Sequence, residues 1–303
     1  MQIVKHEDIT WIDLENPSLT DIEYIRENFN VHPLALEEFM VPTYRARAIK
    51  FNNCLFLTIH IPLFNAQKRT TYAGEVDILL TKTHLITGHK QDIFQLKQFF
   101  TDLHDSAGKR RLYMIHSTAH LLYEVLKTLT ESCFPRLEHV VHHIDDIQEG
   151  IFGGDERKMV REISIVKRDI LNFRRTLMPQ RSIIESIIAQ PIDVVPKEIK
   201  IYYQDLIGTN IRLWNDLESA NETIASLEKT NNSLLSEKIN QRMRIITVFS
   251  VLWIPVTIYL SIFNLNIVHM PLKDNPFAFA IHLSVLFFIS AATFVVFKVA
   301  KWI

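Results

Sequence analysis

IITVFSVLWIPVTIYLSIF, residues 245–263, runs for 19 residues without a charge. Phe277 to Phe297 adds a second uncharged stretch of 21 residues, interrupted by His282. Each is long enough to cross the hydrocarbon core of a bilayer, which takes about 20 apolar residues in a helix. Paired stretches of this length are rare in soluble cores, so the sequence reads as a membrane protein with a large soluble front end. Arg242 and Arg244 precede the first span and Lys298 and Lys301 flank the end of the second, whereas the connecting stretch carries Lys273 offset by Asp274. Positive-inside counting therefore puts both termini in the cytoplasm, with the chain crossing the inner (plasma) membrane twice.

Upstream of the first span, apolar residues recur at three- and four-residue steps from Ile199 through Tyr203, Leu206, Leu213, Leu217, Ile224, Leu227 and Leu234. No proline interrupts the run between Lys197 and Pro255, so stalk and span are expected to form one helix of about 65 residues, roughly 100 Å at 1.5 Å per residue. Asn210 and Asn231 sit in this seam, the kind of polar insertion that fixes register, and the seam is read as a surface for self-association. Earlier, one stripe runs from Ile115 to Ile151 and, past Gly153-Gly154, a second from Met159 to Leu177, which predicts an antiparallel helical hairpin. The first hundred residues mix helical stretches with strand-like runs at Cys54–Ile61, Glu75–Leu80 and His84–Gly88. Ser18 or Thr20 is placed to cap a helix over Asp21–Phe29, and Pro33 opens another over His32–Phe39. The expected fold class is an α+β cytosolic domain (α/β/α), then a long helical stalk and two C-terminal transmembrane helices, in an oligomeric membrane protein. The expected organisation is an α/β domain over 1–110, a helical hairpin over 111–196, a stalk continuing into the first span over 197–263, an extracytoplasmic loop over 264–276, and the second span with a basic end over 277–303.

Composition narrows the function classes. Lys+Arg 33 against Asp+Glu 34 leaves a formal charge of -1 in 303 residues, so no basic excess points to nucleic acid. Two cysteines, Cys54 and Cys133, with no CxxC, speak against a disulfide framework and a cysteine-ligated zinc, and suit a reducing compartment. The opening MQIVKHEDITW has no apolar leader segment. No GxxxxGK[ST] and no recognisable catalytic arrangement occurs, so neither an enzyme nor an organic cofactor is expected.

The first span has a sided pattern. Asn240, Met243, Thr247, Ser250, Ile254, Thr257 and Ser261 follow alternating steps of three and four and share one side of a helix, while Phe249, Leu252, Trp253 and Ile258 lie elsewhere. Polar side chains in a membrane tend to face a bundle interior or water. The competing reading is that these hydroxyls bond to their own backbone or ease helix packing. Two spans cannot enclose a channel, but several copies of a striped helix around an axis can. Rings of amide and hydroxyl oxygen suit a hard cation, and Mg2+ sheds its water reluctantly, so such rings can select it through its hydration shell. The membrane potential drives a divalent ion inward with about 4.6 kcal/mol per 100 mV, twice the single-charge value.

At this point the sequence resembles the CorA family of divalent-cation transporters over nearly its whole length. His32-Pro33-Leu34-Ala35-Leu36-Glu37-Glu38 resembles the family's HPLxLED segment, and Leu171–Arg181 (LNFRRTLMPQR) its LRxxxxPxR pattern. Lys301-Trp302-Ile303 resembles its KWL end. Where the family has Gly-Met-Asn after the first span, this chain has Asn264-Leu265-Asn266, followed by Met270-Pro271. The resemblance implies a homopentamer that moves Mg2+, or Co2+ or Ni2+, with Asn264, Leu265 and Asn266 at the outer mouth. It also implies that Glu38 and Asp205 bind regulatory Mg2+ across a subunit interface and hold the pore closed. Members with altered motifs include zinc transporters of the ZntB type, which makes Zn2+ the alternative cargo. The other alternative is a membrane-anchored signalling or scaffold oligomer without a conducting pore. His116, His120 and Glu124, and His139, His142 and His143 beside Asp145 and Asp146, have metal-ligand spacing but read first as solvated helix faces.

Overall fold

A computed structural model describes residues 1–29, 31–43, 45–51, 54–189, 194–263 and 275–299. In chain order the elements are β1 (Gln2–His6), β2 (Ile9–Glu15), α1 (Leu19–Asn28), α2 (Pro33–Glu37), β3 (Arg47–Lys50), β4 (Leu55–Asn65), β5 (Thr70–Leu80), β6 (His84–His89), α3 (Phe94–Asp105), α4 (Ala107–Tyr113), α5 (Thr118–Glu131), α6 (Cys133–Phe152), α7 (Glu156–Leu177), α8 (Gln180–Ala189), α9 (Lys200–Phe263) and α10 (Ala278–Val299). They fall into two compact units, residues 1–229 and 230–303, and α9 contributes to both.

The first unit is built on a six-stranded sheet of order β1-β2-β6-β5-β4-β3. Only β2 and β6 run parallel; the other pairs are antiparallel. Side chains alternate between sheet faces, and both faces of this sheet are apolar. Trp11, Leu57, Ile78 and Leu85 point to a core shared with α3, α5, α8 and the start of α9. Ile12, Leu14, Phe56, Leu79 and Ile86 point to a second core closed by α1 and α2. The result is the expected α/β/α layering. In the second core Gly88 lies against Phe39: a Cβ there would be 2.5 Å from its ring. Helix α1 starts on a capping box, with Ser18 accepting from the Asp21 amide at 3.2 Å and the Asp21 carboxylate accepting from the Ser18 amide at 3.0 Å. It is foremost the Ser18 hydroxyl, which donates to the Asp21 carboxylate at 2.6 Å, that holds the Asp21 carboxyl below the usual carboxylate range.

The expected strands fall on β4, which starts one residue later at Leu55, and within β5 and β6, whereas β1, β2 and β3 emerge only in three dimensions. The stripe read as one helix from Ile115 is two, α5 and α6. Pro135, third residue of α6, has no N–H to continue the ladder at Glu131, and Ile115 is exposed ahead of α5. The seam of α9 is also corrected. Tyr203, Leu206, Asn210, Leu213, Leu217 and Ile224 are buried within this chain's own first unit. Asn210 donates to Gln180 of α8 at 3.4 Å, and Gln180 donates to the His60 carbonyl at 2.6 Å. This polar insertion registers α9 inside the protomer. The Tyr203 hydroxyl donates to the Ala119 carbonyl at 2.8 Å, and burial drives its pKa up. Both cysteines are buried; burial pushes the Cys54 thiol up and the Cys133 thiol up to about 12.

Candidate ion pathway

In the second unit α9 has two sides. Val248 is buried, and Val251, Leu252, Pro255, Val256 and Tyr259 are half-buried. Across from Tyr259, Oη lies 2.5 Å from Nδ1 of His282 on α10, so this is the side that meets α10. Asn240, Met243, Ser250, Ile254, Thr257 and Ser261 are exposed and Thr247 is half-buried. At about 100° per residue these seven lie roughly opposite the α10-facing side. Helices α9 and α10 are the two helices, among the described residues, long and apolar enough to span a membrane.

The stripe hydroxyls are satisfied within α9. Thr247 donates to the Met243 carbonyl at 2.8 Å, Ser250 to Ile246 at 2.9 Å, Thr257 to Ile254 at 2.8 Å and Ser261 to Thr257 at 2.7 Å. The competing reading from the sequence, hydroxyls bonded to their own backbone, is what the helix shows, and the side these hydroxyls occupy is largely exposed. A hydroxyl has one donor and two acceptor lone pairs. With the proton turned into the backbone, what remains on the outer side is acceptor character. Such a surface accepts hydrogen bonds from the water shell of a cation, whose protons point outward. Asn264, Leu265 and Asn266 lie outside the described residues.

The two carboxylates assigned to regulation are apart within the chain. Glu38, just past α2, is half-buried and paired with the Arg47 guanidinium of β3. Asp205 is exposed on α9, where its charge acts on Lys127 and Tyr123 of α5. No hydrogen bond or ion pair joins Glu38 to Asp205 among the described residues. The histidine clusters fare as solvated or internal polar groups. His120 lies 3.8 Å from Glu124, its ring centroid is 5.0 Å from that of His116, and burial lowers its pKa. His143 is 2.9 Å from Arg69 in a cavity of about 370 Å3 that His139, His142 and Asp146 also line. Among the described residues no three His, Cys, Asp or Glu side chains are grouped to hold a metal.

Sequence reasoning missed a network beside Glu38. On β5, Glu75 and Asp77 point to the α2 side of the sheet. Glu75 accepts from the Thr43 amide at 2.8 Å, His60 Nε2 is 2.8 Å from the Thr43 carbonyl, and Thr58 donates to Asp77 at 2.8 Å. Burial foremost, with Glu75 adjoining, raises the Asp77 carboxyl to about 7. The available signal was the alternation of Glu75 and Asp77 with Val76 and Ile78 in a strand otherwise too apolar to be edge-exposed.

Residues 6–299 match the family described as CorA-like Mg2+ transporter protein. The chain belongs to the CorA family. This CorA-family chain is 25% identical over 300 residues, 97% of its own length and 83% of the relative's, to the cobalt/magnesium transport protein CorA of Thermotoga maritima. It is 19% identical over 283 residues, 91% of its length and 83% of the relative's, to the zinc transport protein ZntB of Pectobacterium atrosepticum. The complete structure of the CorA magnesium transporter from Methanocaldococcus jannaschii superimposes with a TM-score of 0.85 at 18% identity, covering 100% of this chain and 95% of that one. That likeness is one of fold: a mixed-sheet domain, a long helix and two C-terminal apolar helices. CorA membership makes the chain a divalent-cation transporter of a membrane family, not a member of an enzyme family.

Proposed function

We propose that the chain moves divalent metal ions, Mg2+ foremost, down their electrochemical gradient through a pore that α9 lines in a homopentamer of the plasma membrane, with both termini cytoplasmic. The observation that carries this reading is the stripe of outward acceptor oxygens on the side of α9 away from α10. A ring of such stripes gives a hydrated cation acceptors at several depths and offers an anion few donors. Asn264, Leu265 and Asn266 form the outer mouth, and amides there meet the hydrated ion. Glu38 and Asp205 of neighbouring subunits hold regulatory Mg2+, and a cation entering at Glu38 displaces Arg47. The test is flux into proteoliposomes: Thr257→Leu and Asn266→Ala lower Mg2+ uptake at least tenfold while the oligomer stays intact by size-exclusion chromatography. Uptake by the unmutated protein no greater than by empty vesicles sinks the reading and favours the scaffold.

Zn2+ is the second cargo to weigh, supported by the ZntB relatives and by Asn264 and Leu265 standing where the family has Gly and Met. Parallel uptake of Mg2+, Zn2+, Co2+ and Ni2+, with and without a proton gradient, separates the two.

A further inference from the structure

Helices in lipid gain little from burying apolar faces against each other, so polar contacts between them carry unusual weight in setting their rotation and depth. The hydroxyls of Thr247, Ser250, Thr257 and Ser261 on α9 are bound to α9 itself. Those of Ser284 and Thr293 on α10 likewise donate to the Ala280 and Ile289 carbonyls, each at 2.9 Å. Tyr259 and His282 do something different. Their Oη and Nδ1 meet at 2.5 Å across the two helices, with ring centroids 5.9 Å apart at 60°. Tyr259 is one turn from the end of α9 and His282 one turn from the start of α10, so the contact lies at the end of the spans next to the segment bearing Asn264–Asn266. Along α9, Tyr259 falls midway between Thr257 and Ser261 but faces the other way.

We infer that the Tyr259–His282 hydrogen bond is a positioning contact of the ion pathway: it fixes the rotation of the last turn of α9 against α10, and so keeps Thr257 and Ser261 aimed at the ion. The inference rests on the transport reading. An imidazole is the appropriate partner because a neutral ring nitrogen and a phenol hydroxyl can share a hydrogen bond without placing a formal charge in the span. The neighbouring hydroxyls are committed to their own carbonyls, so beside the apolar packing of Pro255 and Val256 this bond supplies a directional polar contact between the two helices.

The test uses the full chain in proteoliposomes, with Mg2+ uptake measured as a function of Mg2+ concentration and the oligomer checked by size-exclusion chromatography. Tyr259→Phe and His282→Phe are expected each to lower maximal uptake roughly three- to fifteenfold, the range that loss of one interhelical hydrogen bond produces, with an intact oligomer. The two together cost no more than either alone, and the exchanged pair Tyr259→His with His282→Tyr recovers uptake to within twofold of the unmutated protein. Single variants that transport within twofold of a robustly active unmutated protein overturn the inference and leave the transport reading standing. Single losses that simply multiply in the double variant, without recovery in the exchanged pair, also overturn it. Absence of uptake by the unmutated protein overturns both.

Discussion

The two units handle polar side chains in different ways. In the first, polar groups reach across elements: Asp169 of α7 accepts from Arg136 of α6 and from the Thr71 amide of β5, and the Trp11 indole donates to Thr87, which donates on to Asp13. In the second, the hydroxyls of α9 and α10 turn back to their own helices, and Tyr259 with His282 reaches across. Apolar burial drives the first unit together, and its cross-links specify which arrangement results. A helix in lipid must satisfy its polar groups locally, and this frees the outer faces of its oxygens for another task.

The largest expected effect tests the cross-linked side. Asp169→Ala leaves Arg136 with an uncompensated, mostly buried charge and removes the acceptor of the Thr71 amide, so it destabilises the chain by about 3 kcal/mol, read from chemical denaturation in detergent. A loss below about 1 kcal/mol breaks the contrast. Next comes pH. Asp77 has its folded-state value raised from 3.8 to about 7, so its protonated form favours folding: that contribution is complete below about 4 and is lost as pH rises through about 7. Burial pulls His89 down, but the Asp13 hydrogen bond and charge outweigh it and leave the imidazole raised, so its contribution is likewise lost on going alkaline. Thermal melts of the detergent-solubilised chain between pH 5.5 and 8 are expected to fall as pH rises. In Asp77→Asn the fall is shallower, and what remains is the His89 contribution set against those of His84 and His120, whose lowered values work in the opposite direction. An unchanged slope in that variant removes Asp77 from the account. The smallest effect sharpens the lipid side: Ser261→Ala deletes a bond made within one helix and shifts stability by less than about 0.5 kcal/mol, while Mg2+ uptake still drops. A large stability change there means Ser261 is structural.

Much of this was legible in the sequence, for identifiable reasons. The absence of charge from 245 to 263 and from 277 to 297 marked two long apolar helices, Ser18 was one of the two caps offered for α1 and is the one used, and the three-four steps from Asn240 to Ser261 marked one side of α9. What failed depended on partners distant in the chain. The parallel pairing of β2 with β6 joins Trp11 to Leu85, a separation no local pattern encodes. Asn210 looked like a seam residue between copies because its true partner, Gln180, is on another helix. Direction was also hidden: the spacing of Thr257 and Ser261 says which side they occupy, but not where each proton points. The meeting of Tyr259 with His282 depends on how two helices are rotated, which neither helix states alone.

The burial of both thiols has a practical consequence. Cys133, raised to about 12, and Cys54, also raised, are poor nucleophiles at neutral pH and are shielded from reagents in bulk solvent. The unaltered chain therefore serves as its own blank for a labelling walk, in which single cysteines placed along 243–261 are challenged with a water-soluble maleimide. Reactivity that rises and falls with the helical repeat would trace the wetted wall directly, without first having to strip out the native sulfur.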